Sequence, residues 1–337
     1  MPKEMFIVDA IRETLRQEMQ RDENVVLLGC DIGTKGGPGG AFTVTLGLAE
    51  EFGHERVIDT PISELGFIGA AIGAAMAGLK PVADVQYSDF LYCAMDQIAN
   101  QMAKMRYMSA GQWKVPMVLR APVGVTSRGA QHAQCPEGLF MDIPGIKIAV
   151  PSTAYDAMGL LRTAIRGNDP VMFFEHKRLY GQKGRPDAGE FFVSSQIPDE
   201  DFTVPFGQAV IRREGNDVTI IGKQLTVHEA VAAAAELEKE GISCEVIDPR
   251  TLVPFDETTL LNSVAKTGRL VIVDEGTLTG GWSSDVAAIV AEKGVQYLDA
   301  PVRRVTAPDT PAPFAPNMRE FYVPGQLKIM EAVRGLM

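Results

Sequence analysis

At 337 residues the chain exceeds one ordinary domain, and its 46% apolar content supports two packed cores. A net charge of −11 and a pI near 5.0 repel phosphate backbones and anionic lipid surfaces, so neither nucleic acid nor a membrane is a natural partner. Cys30, Cys93, Cys135 and Cys244 lie far apart with no paired spacing, and the opening Met-Pro-Lys-Glu-Met-Phe lacks a signal peptide's basic end, so a cytoplasmic, reducing location is expected.

β-rich apolar runs appear at Val25 to Leu28, Arg56 to Asp59, Pro81 to Gln86, Pro116 to Arg120, Ile146 to Val150 and Val171 to Phe174, with helical patterns between them. Between the second and third, Leu65 to Leu79 is uncharged but too short for a bilayer and interrupted by glycines. It reads as a packed helix. Gly69, Ala70, Gly73, Ala74 and Ala77 leave little bulk on one face, which suits a domain or subunit contact. After Pro151-Ser152-Thr153, a start signal, Ala154 to Ile165 repeats apolar residues at helical spacing. This alternation predicts an α/β fold with a mostly parallel, doubly wound sheet over residues 1–180.

Residues 181–205 turn polar and lose periodicity, which reads as a linker. A second alternating series then predicts a smaller α/β domain over 206–337. Its strands are Val218 to Ile221, Cys244 to Ile247 and Leu270 to Val273, and its helices Val227 to Glu240 and Asp256 to Lys266. The proline-dense Ala307 to Pro316 reads as irregular before a final helix near Met337.

Three loops following predicted strands offer chemistry. Glu64 follows Asp59-Thr60-Pro61-Ile62-Ser63; read alone, Ser63 caps a helix and Glu64 complements its dipole. Ligands of open α/β sheets, however, bind outside the carboxyl ends of strands, where Glu64 lies. The next such end supplies Tyr87, Ser88, Asp89, Phe90 and Tyr92, residue types that serve a core or a ring platform. The third holds His132 in Gly129-Ala130-Gln131-His132-Ala133-Gln134-Cys135-Pro136-Glu137; a loop histidine is solvated or a general acid or base. Carboxylate, aromatic face and imidazole together suggest a cofactor pocket. Gly33 to Gly40 matches no phosphate-binding motif and reads as a surface loop; His54 reads as part of an exposed Gly-His-Glu-Arg turn, and His176 and His228 as structural.

Several blocks in order carry a resemblance over nearly the whole chain. They are Asp59 through Glu64, Asp89-Phe90 with Asp96-Gln97-Ile98, His132 through Glu137, Pro144 through Lys147, Asp248 through Thr251, and Leu278-Thr279-Gly280-Gly281. The chain resembles the β subunits of the decarboxylating component of pyruvate, branched-chain 2-oxoacid and acetoin dehydrogenases, of transketolase-like type. That resemblance implies a pyrimidine-binding domain followed by a transketolase C-terminal-like domain, with thiamine diphosphate as cofactor. Glu64 matches the glutamate that shares a proton with the aminopyrimidine ring, Phe90 an aromatic residue packed on it, and Ile62 and Gln86 positions lining it. His132 matches the active-site histidine that assists transfer to a lipoyl acceptor.

The resemblance also implies a potassium ion held through backbone carbonyls of Met117, Ala164, Ile165, Gly167 and Asp169. The motif that holds Mg2+ and diphosphate in the family does not occur here, so an α subunit is expected to supply it. The expected assembly is a heterotetramer of two α and two β chains, served by a lipoyl acyltransferase component. One position departs: Ala133 stands where relatives carry serine. The rivals are a split transketolase or carboligase subunit, which passes its unit to an aldehyde, and a noncatalytic scaffold subunit.

Overall fold

The computed structural model describes residues 3–181 and 194–337, which cluster into two compact units. Residues 1–123 and 142–206 form the first, 124–141 and 207–337 the second. The segment 124–141, inside the first domain in sequence, therefore belongs with the second in space.

The first unit contains β1 (Lys3–Phe6), α1 (Ile7–Arg21), β2 (Val25–Gly29), α2 (Leu48–Phe52), β3 (Val57–Asp59), α3 (Glu64–Met76), β4 (Lys80–Asp84), α4 (Met105–Met108) and β5 (Val118–Val123). Past residue 141 it continues with β6 (Lys147–Ala149), α6 (Ala154–Arg166), β7 (Val171–His176) and β8 (Ser194–Ile197), while α5 (Glu137–Met141) lies in the second unit. Its main strands run β6-β7-β5-β4-β2-β3, every pair parallel. Val118 through Val123 and Val171 through His176 are buried throughout, as strands covered on both faces must be.

α6 begins where its start signal predicts, with the Thr153 side chain accepting a hydrogen bond from the Asp156 N–H at 3.2 Å. It packs against α1, and Arg166 donates to the buried Glu18 carboxylate at 2.6 Å across that contact. One sequence expectation changes. Residues 182–193 of the predicted linker lie outside the described residues, but Ser194–Ile197 is a strand, paired antiparallel to β1. Two four-residue edge strands show too short an alternation to be read as such.

The second unit contains β9 (Val210–Arg213), β10 (Val218–Gly222), α7 (Leu225–Glu238), β11 (Cys244–Asp248), β12 (Thr251–Val253), α8 (Glu257–Thr267), β13 (Leu270–Thr277), α9 (Trp282–Lys293), β14 (Arg303–Ala307), α10 (Pro316–Tyr322) and α11 (Gln326–Arg334). The order is β14-β13-β10-β11-β9, parallel except for β9. Alternation in β10 sorts its two faces. Val218 and Ile220 join a core with Ala230, Ala233 and Leu237 of α7 and Ile329 and Val333 of α11. Thr219 points the other way and exchanges hydrogen bonds with Ser263 and Thr267 of α8 at 2.6 and 2.7 Å. Among the described residues, no helix is long and apolar enough to cross a membrane.

Candidate active site

The first unit's strand order reverses at β2: the chain steps outward to β3, then returns past β2 to β4. The crevice outside the carboxyl ends of β2 and β4 is thus a topological switch point, where open α/β sheets take their ligands. Gln86 lies at that crevice. Its amide nitrogen donates to the Cys30 carbonyl just beyond β2, and its amide oxygen accepts the Ala41 N–H at 2.6 Å.

The neighbouring edge is knitted to the same point. The Thr60 N–H donates to the Gly29 carbonyl at 3.0 Å, the Thr34 hydroxyl to the Asp59 carboxylate at 2.8 Å, and the Cys30 thiol to the Pro61 carbonyl at 3.4 Å. Burial pushes the Cys30 thiol pKa up, a hydrogen bond from Thr60 pulls it down, and the negative charge of Glu64 raises it again. Glu64 is the first residue of α3 and half-buried; Ser63, directly before it, makes no side-chain cap, so the carboxylate is the acidic group of that first turn. Ile62, two residues earlier, is 84% exposed.

Beyond β4, Phe90 lies half-buried with its ring 5.6 Å from that of Tyr87, which contacts Phe42 at 5.5 Å. Of the predicted aromatic cluster, Tyr87 is core and Phe90 is its margin. The structure therefore brings Ile62, Glu64, Gln86 and Phe90 to one sheet edge.

The loop Gly33 to Gly40, read from sequence as a plain surface loop, contributes more. Gly39, at φ +73°, could carry no side chain, since a Cβ would meet the Leu46 nitrogen at 2.2 Å. This tight path leads into Ala41, whose N–H fixes Gln86. A backbone donor leaves no residue-type signal, which is why it escaped the sequence reading.

His132 ends a short 3-10 turn, Ala130–His132, in the second unit and is half-buried. Ala133 is 1% exposed and packs with Val125, Ala307, Ala312 and Tyr322. A hydroxyl there would need a hydrogen-bond partner inside this cluster. His176 is buried and its Nδ1 accepts the Arg178 N–H at 3.2 Å, a structural role.

Of the carbonyls matched to a potassium site, that of Met117 accepts the Val171 N–H at 3.0 Å and that of Ala164 the Gly167 N–H at 3.2 Å. The Asp169 carboxylate pairs with Lys147 at 2.8 Å and with Arg106. Among the described residues, no group of three or more His, Cys, Asp or Glu could hold a metal.

Comparison with known proteins places this edge in a family. Residues 3–183 match the pyrimidine-binding domain of transketolase, and residues 207–329 the transketolase C-terminal domain. The chain is a two-domain protein of transketolase type. It is 44% identical over 334 residues to the 2-oxoisovalerate dehydrogenase subunit beta of Bacillus subtilis, covering 98% of each chain. It is 45% identical over 351 residues to the same organism's acetoin:2,6-dichlorophenolindophenol oxidoreductase subunit beta, covering 100% of this chain and 98% of the relative. It is 42% identical over 332 residues to that organism's pyruvate dehydrogenase E1 component subunit beta, covering 98% of each. A solved split-gene transketolase, described as an inactive beta4 tetramer, shares the fold with a TM-score of 0.77 at 23% identity, covering 98% of each chain. The chain belongs to the family of β subunits of 2-oxoacid and acetoin dehydrogenases.

Proposed function

We propose that this chain is the β half of a thiamine-diphosphate-dependent 2-oxoacid or acetoin dehydrogenase, active only with an α subunit and passing its acyl or aldehyde unit to a lipoyl acceptor. The observation that carries the reading is the switch-point edge, where a carboxylate begins a helix beside an exposed Ile62, with Phe90 and a backbone-fixed Gln86 on the neighbouring loop. An aminopyrimidine ring needs two apolar faces and a carboxyl group, and these residues fit it.

Thiamine diphosphate, when bound, supplies the electron sink for C–C cleavage, leaving the protein to bind, orient and manage protons. Ile62 and Phe90 supply apolar surface to the ring. Gln86, already bonded at both amide atoms, acts as a fixed wall. Glu64 holds and returns a proton at a ring nitrogen. His132 moves a proton during transfer to the acceptor. The α subunit holds Mg2+ with the diphosphate, two chains of each kind assemble, and a lipoyl acyltransferase component takes the product. A potassium ion, if bound, would be held by the carbonyls of Met117, Ala164, Ile165, Gly167 and Asp169, of which those of Met117 and Ala164 already accept backbone hydrogen bonds.

The test is Glu64→Gln in the complex with the α subunit. Loss of a positioned acid or base lowers turnover by about 10²–10⁴-fold at saturating cofactor. Undiminished turnover would overturn the assignment, and would favour a scaffold role. Comparing lipoamide reduction with ketose formation from the same mixture decides the acceptor.

A further inference from the structure

The second unit has a switch point of its own. From β10 the chain goes to β11 on one side and later returns to β13 on the other, so the crevice outside the carboxyl ends of β10 and β13 is where a ligand would enter. Gly222, the last residue of β10, is in register with Val273, which places Lys223 and Asp274 side by side at that crevice. It is filled from within the chain. Glu137, from the segment 124–141, accepts a hydrogen bond from the Lys223 ammonium at 2.6 Å, and Asp274 lies 3.4 Å from the same nitrogen. All three side chains are at most 2% exposed.

We propose that Lys223 is a positioning residue for His132, holding the histidine-bearing segment on the second unit through Glu137. The inference rests on the assignment of His132 to acceptor transfer.

The segment has little internal structure to hold itself. Its regular pieces are a 3-10 turn of three residues and a helix of five, too short to be stable alone. Tertiary anchors must therefore set the imidazole's place, and they flank it closely. Ala133 sits in the apolar cluster with Val125, Ala307, Ala312 and Tyr322, and Glu137 sits on Lys223. Between α5 and the start of α9 the backbones nearly touch, since a Cβ on Gly138 would meet the Gly280 carbonyl oxygen at 2.7 Å.

Lys223 itself is held rigidly. Its N–H donates to the Thr226 hydroxyl at 2.8 Å, and Gln224, next to it, adopts the left-handed φ of 54° that a side chain rarely accepts. The Asp274 oxygen facing it accepts the Gly276 N–H at 2.8 Å. Burial alone would pull the lysine pKa down, but Glu137 and Asp274 raise it more, so the ammonium stays charged and the clamp is ionic.

The test uses the assembled complex with Lys223→Met and the milder Glu137→Gln, each alone and combined with His132→Ala. Four readouts are needed: cofactor affinity by titration, lipoamide-dependent turnover, deuterium exchange of residues 124–141, and thermal unfolding. The expected result is turnover lowered by about 10- to 100-fold, the scale of a misplaced catalytic group, with cofactor affinity held within about threefold. Exchange should rise in residues 124–141 while β10, β11 and β13 stay protected, and in the His132→Ala background neither substitution should lower turnover further. Unchanged turnover and exchange would overturn the proposal. So would exchange rising across all strands of the second unit, or an undiminished loss in the His132→Ala background. If His132→Ala itself keeps full turnover, the histidine's assignment fails, while the exchange of residues 124–141 still decides the anchor.

Discussion

Arg120 meets two buried carboxylates at once, and the consequences reach the candidate site. Its Nη1 donates to Asp84 at 2.7 Å and its Nε to Glu175 at 2.6 Å, while the Tyr180 hydroxyl donates to Glu175 at 3.2 Å. Asp84 ends β4, Arg120 lies within β5 and Glu175 is next to last in β7, and Asp84, Arg120, Tyr180 and Gln86 line one small cavity of about 10 Å³. Burial pushes the Glu175 carboxyl up to about 7; Arg120, shared with Asp84, offsets this only in part. A carboxyl raised on folding contributes stability that is complete below its unfolded pKa and is lost as pH rises through the folded one. The unfolding midpoint should therefore fall between the ordinary carboxyl range and about pH 7, and Glu175→Gln should remove that slope. A wild-type midpoint flat across this window would refute it. Arg120→Met strands both carboxylates without their cation, so urea unfolding should show a loss of about 3–5 kcal/mol.

At the scale of one element, α6 shows what could be read in advance and what could not. Its periodicity and its Thr153 cap were visible in consecutive residues, and both are present. The glycine at its centre was not interpretable that way. Gly159 lies in a helix interior, where alanine would ordinarily be worth roughly 1 kcal/mol more. Its reason lies far along the chain, in Phe202 and Val204. The Val204 N–H donates to the Gly159 carbonyl at 3.1 Å, and a Cβ on Gly159 would meet a Val204 methyl at 2.4 Å and the Phe202 ring at 3.0 Å. Gly159→Ala should thus destabilise, by about 1–3 kcal/mol in urea unfolding, against its helix propensity. A stabilised variant would mean the crossing segment gives way freely. The same limit explains why the site was only half legible. Glu64 and Phe90 announce themselves by residue type after strands and Gln86 only through the family resemblance, whereas the Ala41 N–H and the Lys223 clamp exist only through long-range contacts.

For the whole molecule, what the chain leaves uncovered is as informative as what it buries. Helix α3 buries Phe67, Ile68, Ala71, Ile72 and Ala75, while Gly66, Ala70, Gly73 and Ala77 face outward and Leu65, at its start, is 49% exposed. The uncharged run read as a packed helix is thus packed on one side only in the single chain. The other side is small, apolar and continuous with the end of the helix that bears Glu64. Under the proposed function the cofactor site needs a second subunit, and such a face would serve it: with no bulk on it, another helix can approach to backbone distance beside the carboxylate. This makes opposite predictions for one substitution. Nothing lies within 4 Å of a Cβ on Gly73, so Gly73→Leu should stabilise the isolated chain by roughly 0.5–1 kcal/mol through helix propensity alone. The same leucine should hold the α subunit off. Mixed with an α subunit and followed by sedimentation, the unsubstituted protein should form the proposed tetramer and Gly73→Leu should leave free β chains, with turnover falling in step with the unassembled fraction. Full assembly of Gly73→Leu would mean that the partner binds elsewhere and that the small-residue face of α3 has some other cause.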